Sequence, residues 1–340
     1  MPDSYDAIII GGGVIGASIA WRLARGQHRV LLLDAAHVGA EASSAAAGML
    51  TPGGEFDDPT LRDMANRSLA IYPDFVRDLE ADSGLSVDFR RTGTVELDVP
   101  PRHGSRLLTP GELRNLLPLA PLDAASAIFF PHDAIVDPAA LMKALRAACV
   151  ARGVQLQGGS PVSDIDADSN GAQVGEFRAC AAVLSAGAWS SQIRVTLDGQ
   201  SHPLPRSFPV KGHLLGYRLP PGSLAATLRR EHTYVLQRSD GFTIAGSSAE
   251  DAGYDRTIDP TIVSDIARRA SALVPALDAL QPESVWTGLR PRSDPEGPHL
   301  GRIANSRLWL AYGHYRNGIL LAPATSDRIA RQIAAIAALK

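Results

Sequence analysis

The sequence predicts an α/β fold in two domains, the first of which is assembled from discontinuous segments of the chain. Two observations lead to this expectation. Alternating strand and helix patterns occur at the start, in the middle and at the end of the sequence, and two β-rich pieces interrupt them. The chain also has 340 residues, 45% of them apolar, which is enough for a large core and suggests two domains.

The first residues form a βαβ unit. Residues 5–10 are a short apolar run followed by glycines, as in a buried parallel strand. Val14–Arg25 has apolar residues at a spacing of four, which predicts a helix, and Gly26 is a suitable stop. Residues 29–33 form a second buried strand, which Asp34 closes.

The later elements follow from the same patterns. A helix is predicted over 59–79, with Pro73 as a place where it can break. Another begins at Pro138 after the N-cap residue Asp137 and ends at Gly153. A closing helix is predicted over 325–339. The predicted strands are a half-exposed one at 92–99 and others at 154–157, 181–185, 235–237, 242–245 and 308–311.

These elements divide the chain into two predicted domains. The first comprises residues 1–85, 138–204 and 284–340. The second is an α+β domain with a mostly antiparallel sheet, and it comprises residues 86–137 and 205–283.

Composition narrows the possible functions. The formal net charge of −3 gives no electrostatic footprint for nucleic acid. Two cysteines are too few for a disulfide framework. The N-terminus lacks the basic and apolar regions of a signal peptide, and no apolar run is long enough to span a membrane. We therefore expect a cytoplasmic protein that binds neither nucleic acid nor membrane. Whether it forms a homo-oligomer is left open.

A glycine-rich turn joins the first strand to the first helix. Gly11, Gly13 and Gly16 form G-x-G-x-x-G, and Asp34 ends the next strand. In dinucleotide-binding units these glycines permit the tight turn, the approach to a pyrophosphate and the packing of helix on sheet, while the acid accepts from a ribose hydroxyl. An acid in this place argues against NADP. The alternative is a glycine-rich turn without a ligand.

The glycine motif alone does not separate NAD from FAD. Residues 41–52, "EASSAAAGMLTP", are a run of small residues that could lie against a flat ring or pack tightly as a helix start. Near the C-terminus, Arg316 stands just before an apolar helical run. The N-terminus of a helix is already positive, so a cation there favours a nearby anion. The alternative is a solvated loop arginine.

Five motifs together resemble one flavoprotein family. In order, "GGGVIG", "SSAAAGML", "PVKGH", "WTGLRP" and "GHYRNGILLAPAT" are similar to the glycine oxidase (ThiO-type) branch of the D-amino-acid oxidase/sarcosine oxidase family. The match spans nearly the whole chain. It implies that the first domain is a Rossmann-like FAD-binding domain and that the second binds the substrate.

The resemblance implies the residues that contact FAD. Asp34 matches the ribose-binding acid, which is commonly glutamate in the family. No cysteine lies near the C-terminal flavin segment, where some sarcosine oxidases attach the cofactor, so we expect non-covalent FAD. The predicted cofactor-binding residues are Gly11, Gly13, Val14, Ile15, Gly16, Asp34, Ala42, Ser43, Ala47, Gly48, Met49, Val162, His314, Tyr315, Arg316, Asn317, Gly318, Ile319 and Leu320.

The resemblance also implies a substrate site. Arg290 matches the arginine that pairs with the substrate carboxylate, Arg316 assists beside the flavin, and Tyr234 and Met49 complete the pocket. The implied partners are a small amino acid and O₂. A hydride passes to the flavin, the imine is hydrolysed to a 2-oxo acid and ammonia, and O₂ yields hydrogen peroxide. The flavin carries this chemistry, so no catalytic side chain and no metal is predicted.

Several alternatives remain at this point. Within the family the chain could be a D-amino-acid oxidase, a sarcosine oxidase or a dehydrogenase that uses a quinone, and a role in thiamine biosynthesis is open. Outside that activity it could be an RNA-modifying flavoprotein or a non-catalytic FAD-binding protein. Two polar pairs, His132 with Asp133 and His213 with Lys211, are expected to be structural or surface residues.

Overall fold

A computed structural model describes residues 4–53, 56, 58–121 and 123–337 of the chain. Its helices are α1 (Val14–Arg25), α2 (Ala42–Ala45), α3 (Pro59–Ser83), α4 (Pro110–Leu116), α5 (Pro138–Ala151), α6 (Pro260–Leu273) and α7 (Gly318–Ala337).

The strands fall into three sheets. They are β1 (Ser4–Ile10), β2 (Val30–Leu33), β3 (Met49–Leu50), β4 (Phe89–Arg90), β5 (Thr94–Leu97), β6 (Arg106–Leu107), β7 (Ala127–Phe130), β8 (Ala134–Val136), β9 (Gln155–Gln157), β10 (Asp164–Ala167), β11 (Ala172–Val174), β12 (Phe177–Leu184), β13 (Arg194–Leu197), β14 (Gln200–Ser201), β15 (Arg206–Arg218), β16 (Thr227–Arg230), β17 (Thr233–Gln237), β18 (Phe242–Gly246), β19 (Ser284–Asp294), β20 (His299–Arg302) and β21 (Leu308–Tyr312).

The first sheet has a parallel centre in the order β9-β2-β1-β12-β21. Strands β1, β2, β12 and β21 are mostly buried, which explains their nearly continuous apolar sequences, whereas the edge strand β9 is partly exposed and polar. One face packs against α1, α3, α5 and α7, whose apolar residues form the largest core. On this sheet the carboxyl ends of β1, β2, β12 and β21 meet along one edge.

The second sheet has the order β19-β15-β18-β17-β16-β5-β7-β6, and only the β16–β5 pair is parallel. Helix α6 packs against it over a separate core. A small third sheet joins β3, β8 and β4. The predicted fold class, a Rossmann-like α/β part with a mostly antiparallel second part, is confirmed.

Most predicted elements are present, with four differences from the predictions. Helix α3 continues through Pro73, because apolar residues on both sides of the proline are buried in the core and outweigh the lost hydrogen bond. Strand β5 is buried rather than half-exposed. The predicted first domain included residues 284–340, whereas β19 (Ser284–Asp294) pairs with β15 in the second sheet.

The last helix is the fourth difference, because it starts at Gly318 and passes through Pro323 instead of starting near residue 325. Pro323 has no N–H for the Ile319 carbonyl, and the Tyr72 hydroxyl donates to that oxygen at 3.3 Å instead. The Ser68 hydroxyl donates to the Leu320 carbonyl at 2.6 Å and accepts from the Ala324 N–H at 3.1 Å. Helix α3 thus supplies a donor for the carbonyl that the proline leaves without one, and it makes two further hydrogen bonds to the same turn of α7.

Candidate active site

One large cavity lies between the carboxyl edge of the first sheet and a face of the second. Its volume is about 1070 Å³, at the upper end of the range for small-molecule and cofactor sites. The ends of β1, β2, β12 and β21 line one side, and Gly212, Tyr234 and Arg290 line the other. A ligand in this cavity would touch both sheets.

The glycine turn after β1 leaves no room for side chains. Gly11 has φ of +100°, and a Cβ there would lie 2.5 Å from the Ser185 carbonyl oxygen. A Cβ on Gly16 would lie 1.9 Å from the Gly11 carbonyl oxygen. The backbone of this turn therefore packs directly against the backbone at the end of β12. Gly13 is the N-cap of α1 and lines the cavity.

Asp34 lines the cavity directly after β2. Its carboxylate accepts hydrogen bonds from the backbone N–H groups of Gly12 at 2.6 Å and Ala36 at 2.8 Å. The Ser160 N–H donates to the Asp34 carbonyl at 2.9 Å, which brings residues 160–163, including Val162, to the same end of the cavity.

The run of small residues forms a second wall. The Ser43 hydroxyl accepts from the Val14 N–H at 2.9 Å, which ties α2 to the start of α1. Gly48 has φ of +88°, and a Cβ there would lie 2.0 Å from the Val136 carbonyl oxygen. The buried Arg238 guanidinium donates to the Ala47 and Val136 carbonyls. Burial lowers the pKa of Arg238.

The segment before α7 forms a third wall. His314 is buried and its Nε2 lies 3.1 Å from the Thr325 hydroxyl. Burial, with a smaller effect from His299, lowers the pKa of His314 to about 3, so its imidazole is neutral at physiological pH. Helix α7 then begins at Gly318, and its N-terminus faces the cavity.

Arg290 and Tyr234 lie on the wall formed by the second sheet. The Arg290 Nη1 donates to the Ser248 carbonyl at 2.9 Å, which leaves the guanidinium four further N–H donors. Burial raises the pKa of the Tyr234 phenol, and the nearby Arg290 partly opposes this shift. Tyr234 therefore stays protonated and can donate a hydrogen bond.

Arg316 lines the same cavity but is exposed. Its guanidinium carbon lies 5.6 Å from the centre of the Tyr315 ring, within the range of a cation–π contact. Arg316 thus stands at the mouth of the cavity, and Arg290 is more enclosed.

The structure brings most predicted site residues to this one cavity. Gly16 and Leu320 do not line it: Gly16 packs α1 on the sheet, and Leu320 is buried in the core. Neither cysteine lines it. The predicted residues that do are Gly11, Gly13, Val14, Ile15, Asp34, Ala42, Ser43, Ala47, Gly48, Met49, Val162, Tyr234, Arg290, His314, Tyr315, Arg316, Asn317, Gly318 and Ile319.

The sequence reasoning missed other lining residues. Ser185 directly follows β12, and its hydroxyl donates to the Ile10 carbonyl at 2.9 Å. The parallel pairing of a buried strand with β1 could have indicated it. Arg229 lies opposite Tyr234 in the β16–β17 pair and next to Glu96 in the β16–β5 pair. No local motif marks Arg229 or Glu96. Of the two polar pairs, His132 is exposed and Asp133, Lys211 and His213 are buried, and none of them lines the cavity.

The cavity fits FAD. The side-chain-free glycine turn and the start of α1 suit a pyrophosphate, Asp34 suits a ribose, and the small residues from Ala42 to Gly48 leave room for a flat ring. The N-terminus of α7 suits a ring edge that gains negative charge on reduction. The space that remains beside Tyr234 and Arg290 suits a small carboxylate.

Comparisons with known proteins agree with this fit. The family model described as FAD dependent oxidoreductase matches residues 6–332. The chain is 31% identical to a glycine oxidase of Bacillus licheniformis over 98% of this chain and 94% of the relative. It is 34% identical to a bifunctional protein ThiO/ThiG of Synechocystis sp., over 97% of this chain and 51% of that protein.

A solved structure has the same fold over nearly the whole chain. The glycine oxidase of Bacillus cereus superimposes with a TM-score of 0.88 at 29% identity, over 97% of both chains. The discontinuous walls of the cavity therefore belong to an architecture that is known from experiment.

Proposed function

The chain belongs to the FAD dependent oxidoreductase family, and on that basis we propose that it oxidises glycine and other small amines that carry a carboxylate. Its cofactor is FAD, and as a member of this family it acts on amine donors. One observation carries the proposal: Arg290 and Tyr234 line the same cavity as the glycine turn and Asp34. The names of the similar glycine oxidases support the choice of glycine.

The residues of the chain bind and orient the substrate. Arg290 receives the carboxylate, because a guanidinium presents paired N–H donors to two carboxylate oxygens. Tyr234, whose raised pKa keeps the phenol protonated, donates a further hydrogen bond. Arg316 adds positive charge at the mouth of the cavity. Anchored in this way, the substrate presents its amine carbon to the flavin.

FAD held by the glycine turn, Asp34 and the start of α7 would supply the redox chemistry, namely acceptance of a hydride from the amine carbon and transfer of the electrons to O₂, which would give hydrogen peroxide. The hydrolysis of the resulting imine yields the 2-oxo acid and ammonia, or an amine from sarcosine. The substrate amine must be neutral for this chemistry, so it would lose its proton to solvent before it is oxidised. His314 does not supply positive charge near the cofactor, since its pKa is about 3.

Anaerobic mixing with amines tests the proposal. We expect the yellow protein to lose its flavin absorbance with glycine, sarcosine and D-alanine, and to keep it with methylamine, which lacks the carboxylate. Air should restore the absorbance, with one equivalent of hydrogen peroxide for each turnover. If none of the three substrates reduces the flavin, the proposal is wrong. Reduction that air does not reverse would identify a dehydrogenase instead.

A further inference from the structure

A partly buried polar cluster adjoins Arg290 outside the cavity lining. We call Lys211, His213, Ser248 and Glu250 the support cluster. His213 is fully buried and Lys211 is 4% exposed. Buried charges are stable only when they are paired and hydrogen-bonded, so the arrangement of these side chains is constrained.

Ser248 connects the cluster to Arg290. Its carbonyl accepts from Arg290 Nη1 at 2.9 Å. Its hydroxyl accepts from the His213 backbone N–H at 2.8 Å and donates to Glu250 Oε1 at 2.6 Å. Two hydrogen bonds of the Ser248 hydroxyl therefore fix the residue whose carbonyl holds the Arg290 guanidinium.

The hydrogen bonds of His213 define its tautomer. The Asp259 N–H donates to His213 Nε2 at 3.0 Å, so this nitrogen carries no proton. His213 Nδ1 lies 2.7 Å from Glu250 Oε1 and donates to it. His213 thus links the start of α6 to the carboxylate that also holds Ser248.

Lys211 completes the cluster. Its Nζ lies 3.6 Å from Glu250 Oε2, 3.2 Å from Asp255 Oδ2 and 3.0 Å from the Thr257 carbonyl. The backbones of Lys211 and Glu250 also exchange hydrogen bonds of 2.9 and 3.0 Å. These contacts hold residues 248–259 firmly against β15.

We infer that the support cluster positions the Arg290 guanidinium, by fixing the Ser248 carbonyl, and thereby sets the affinity of the site for a carboxylate. The inference rests on the proposed function, in which Arg290 binds the substrate carboxylate. Arg290 projects from β19, while Ser248 follows β18 on the far side of β15. Without the Ser248 carbonyl, the described hydrogen bonds would not define which way the guanidinium turns.

Ser248→Ala tests the inference, with acetate as the probe and the flavin absorption spectrum as the signal. We expect the Kd for acetate and the KM for glycine to rise about fivefold, the effect of one side-chain hydrogen bond, with kcat within twofold. Ser248→Thr keeps the hydroxyl and should restore both values to within twofold. Thr243→Val is the control, because it removes a hydroxyl from the same sheet region that has no hydrogen bond with Arg290.

A double mutant distinguishes an effect of Ser248 that acts through Arg290 from a general loss of protein stability. In an Arg290→Ala background, Ser248→Ala should have no further effect on the Kd for acetate, because the two residues act through one contact. An unchanged Kd in Ser248→Ala, or an equal loss in the Arg290→Ala background, would overturn the inference and leave the proposed function intact. If the unaltered enzyme neither binds acetate nor turns over glycine, the proposed function fails and the inference with it.

Discussion

The Arg290 guanidinium occupies the space that a side chain on Gly212 would need. A Cβ on Gly212 would lie 2.1 Å from Arg290 Nη1 and 2.4 Å from its Cζ. Gly212 on β15 and Arg290 on the neighbouring strand β19 are therefore in close contact. Because Gly212 has no side chain, the Arg290 guanidinium can lie at this position.

Gly212→Ala should therefore displace the guanidinium. We expect KM for glycine to rise about tenfold or more, since lost charge-assisted bonds cost about 1.5 kcal/mol or more. The melting temperature should change little, because the arginine is flexible. Steady-state kinetics and thermal unfolding check both expectations. In an Arg290→Ala background the same change should have no added effect on KM.

Arg290 itself gives the most direct test of carboxylate binding. Arg290→Ala should raise KM for glycine about tenfold to a hundredfold, because a charge-assisted hydrogen bond contributes about 1.5–3 kcal/mol. Arg290→Lys should recover only part of the affinity, since an ammonium cannot form two parallel bonds. Arg316→Ala should raise KM for glycine less than Arg290→Ala does, because Arg316 is exposed. A lower melting temperature with unchanged KM would mean that Arg290 is only structural.

Asp34→Ala should weaken FAD retention. The carboxylate orders the glycine turn through Gly12 and is placed to accept from a ribose hydroxyl. We expect the Kd for FAD to rise about tenfold, in line with the loss of one or two hydrogen bonds. Equilibrium dialysis of the deflavinated protein measures this. Asp164→Ala, which removes a surface carboxylate paired with Arg194, should leave the Kd unchanged.

The buried His314 predicts a pH dependence of stability. In the unfolded chain an imidazole takes up a proton near pH 6.5, whereas in the folded protein the pKa is about 3. Between these values only the unfolded chain binds the proton. The neutral, buried His314 therefore makes its full contribution to stability above pH 6.5. As the pH falls towards 3, this contribution to the free energy of unfolding decreases by about 1.4 kcal/mol per pH unit.

Denaturant unfolding at pH 7 and pH 5 measures this effect against a variant with a neutral side chain. His314→Gln does not titrate in this range, so it should lose about 2 kcal/mol less than the unaltered protein between the two pH values. An equal loss in both proteins would show that His314 is protonated in the folded state.

Ser68 should contribute to the stability of the protein through its hydrogen bonds with α7. Ser68→Ala leaves the buried Leu320 carbonyl without its 2.6 Å hydrogen bond, and the free energy of unfolding should fall by about 1–3 kcal/mol. Ser264→Ala on α6 removes an exposed hydroxyl bonded to the Pro260 carbonyl and should stay within about 0.5 kcal/mol. Urea unfolding distinguishes them, and equal effects would contradict the bridging role of Ser68.

The parts of the site that are encoded locally could be predicted from the sequence. The glycine turn, α1 and Asp34 lie within 24 residues, from Gly11 to Asp34, and their spacing specifies their geometry. Helix α6 was missed although Asp259 and Pro260 repeat the N-cap pattern that revealed α5 at Asp137. In that case the signal was present in the sequence.

Other features depend on contacts that no local pattern contains. Ser185, Arg229 and Gly212 line the cavity because strand pairing places them there. The start of α7 could not be predicted from Pro323 alone. Whether the helix tolerates this proline depends on hydroxyl groups of α3, which lie more than 240 residues earlier in the chain.

The order in which the cavity walls occur along the chain has a consequence for biosynthesis. The glycine turn is translated well before the wall from Gly313 to Ile319, and α7 then packs against α1 and α3. Contacts between such distant segments form late, because closing long loops costs entropy before the contacts can repay it. The cavity is therefore complete only after α7 has been translated and packed, and until then the apolar faces of α1 and α3 that α7 covers lack this partner.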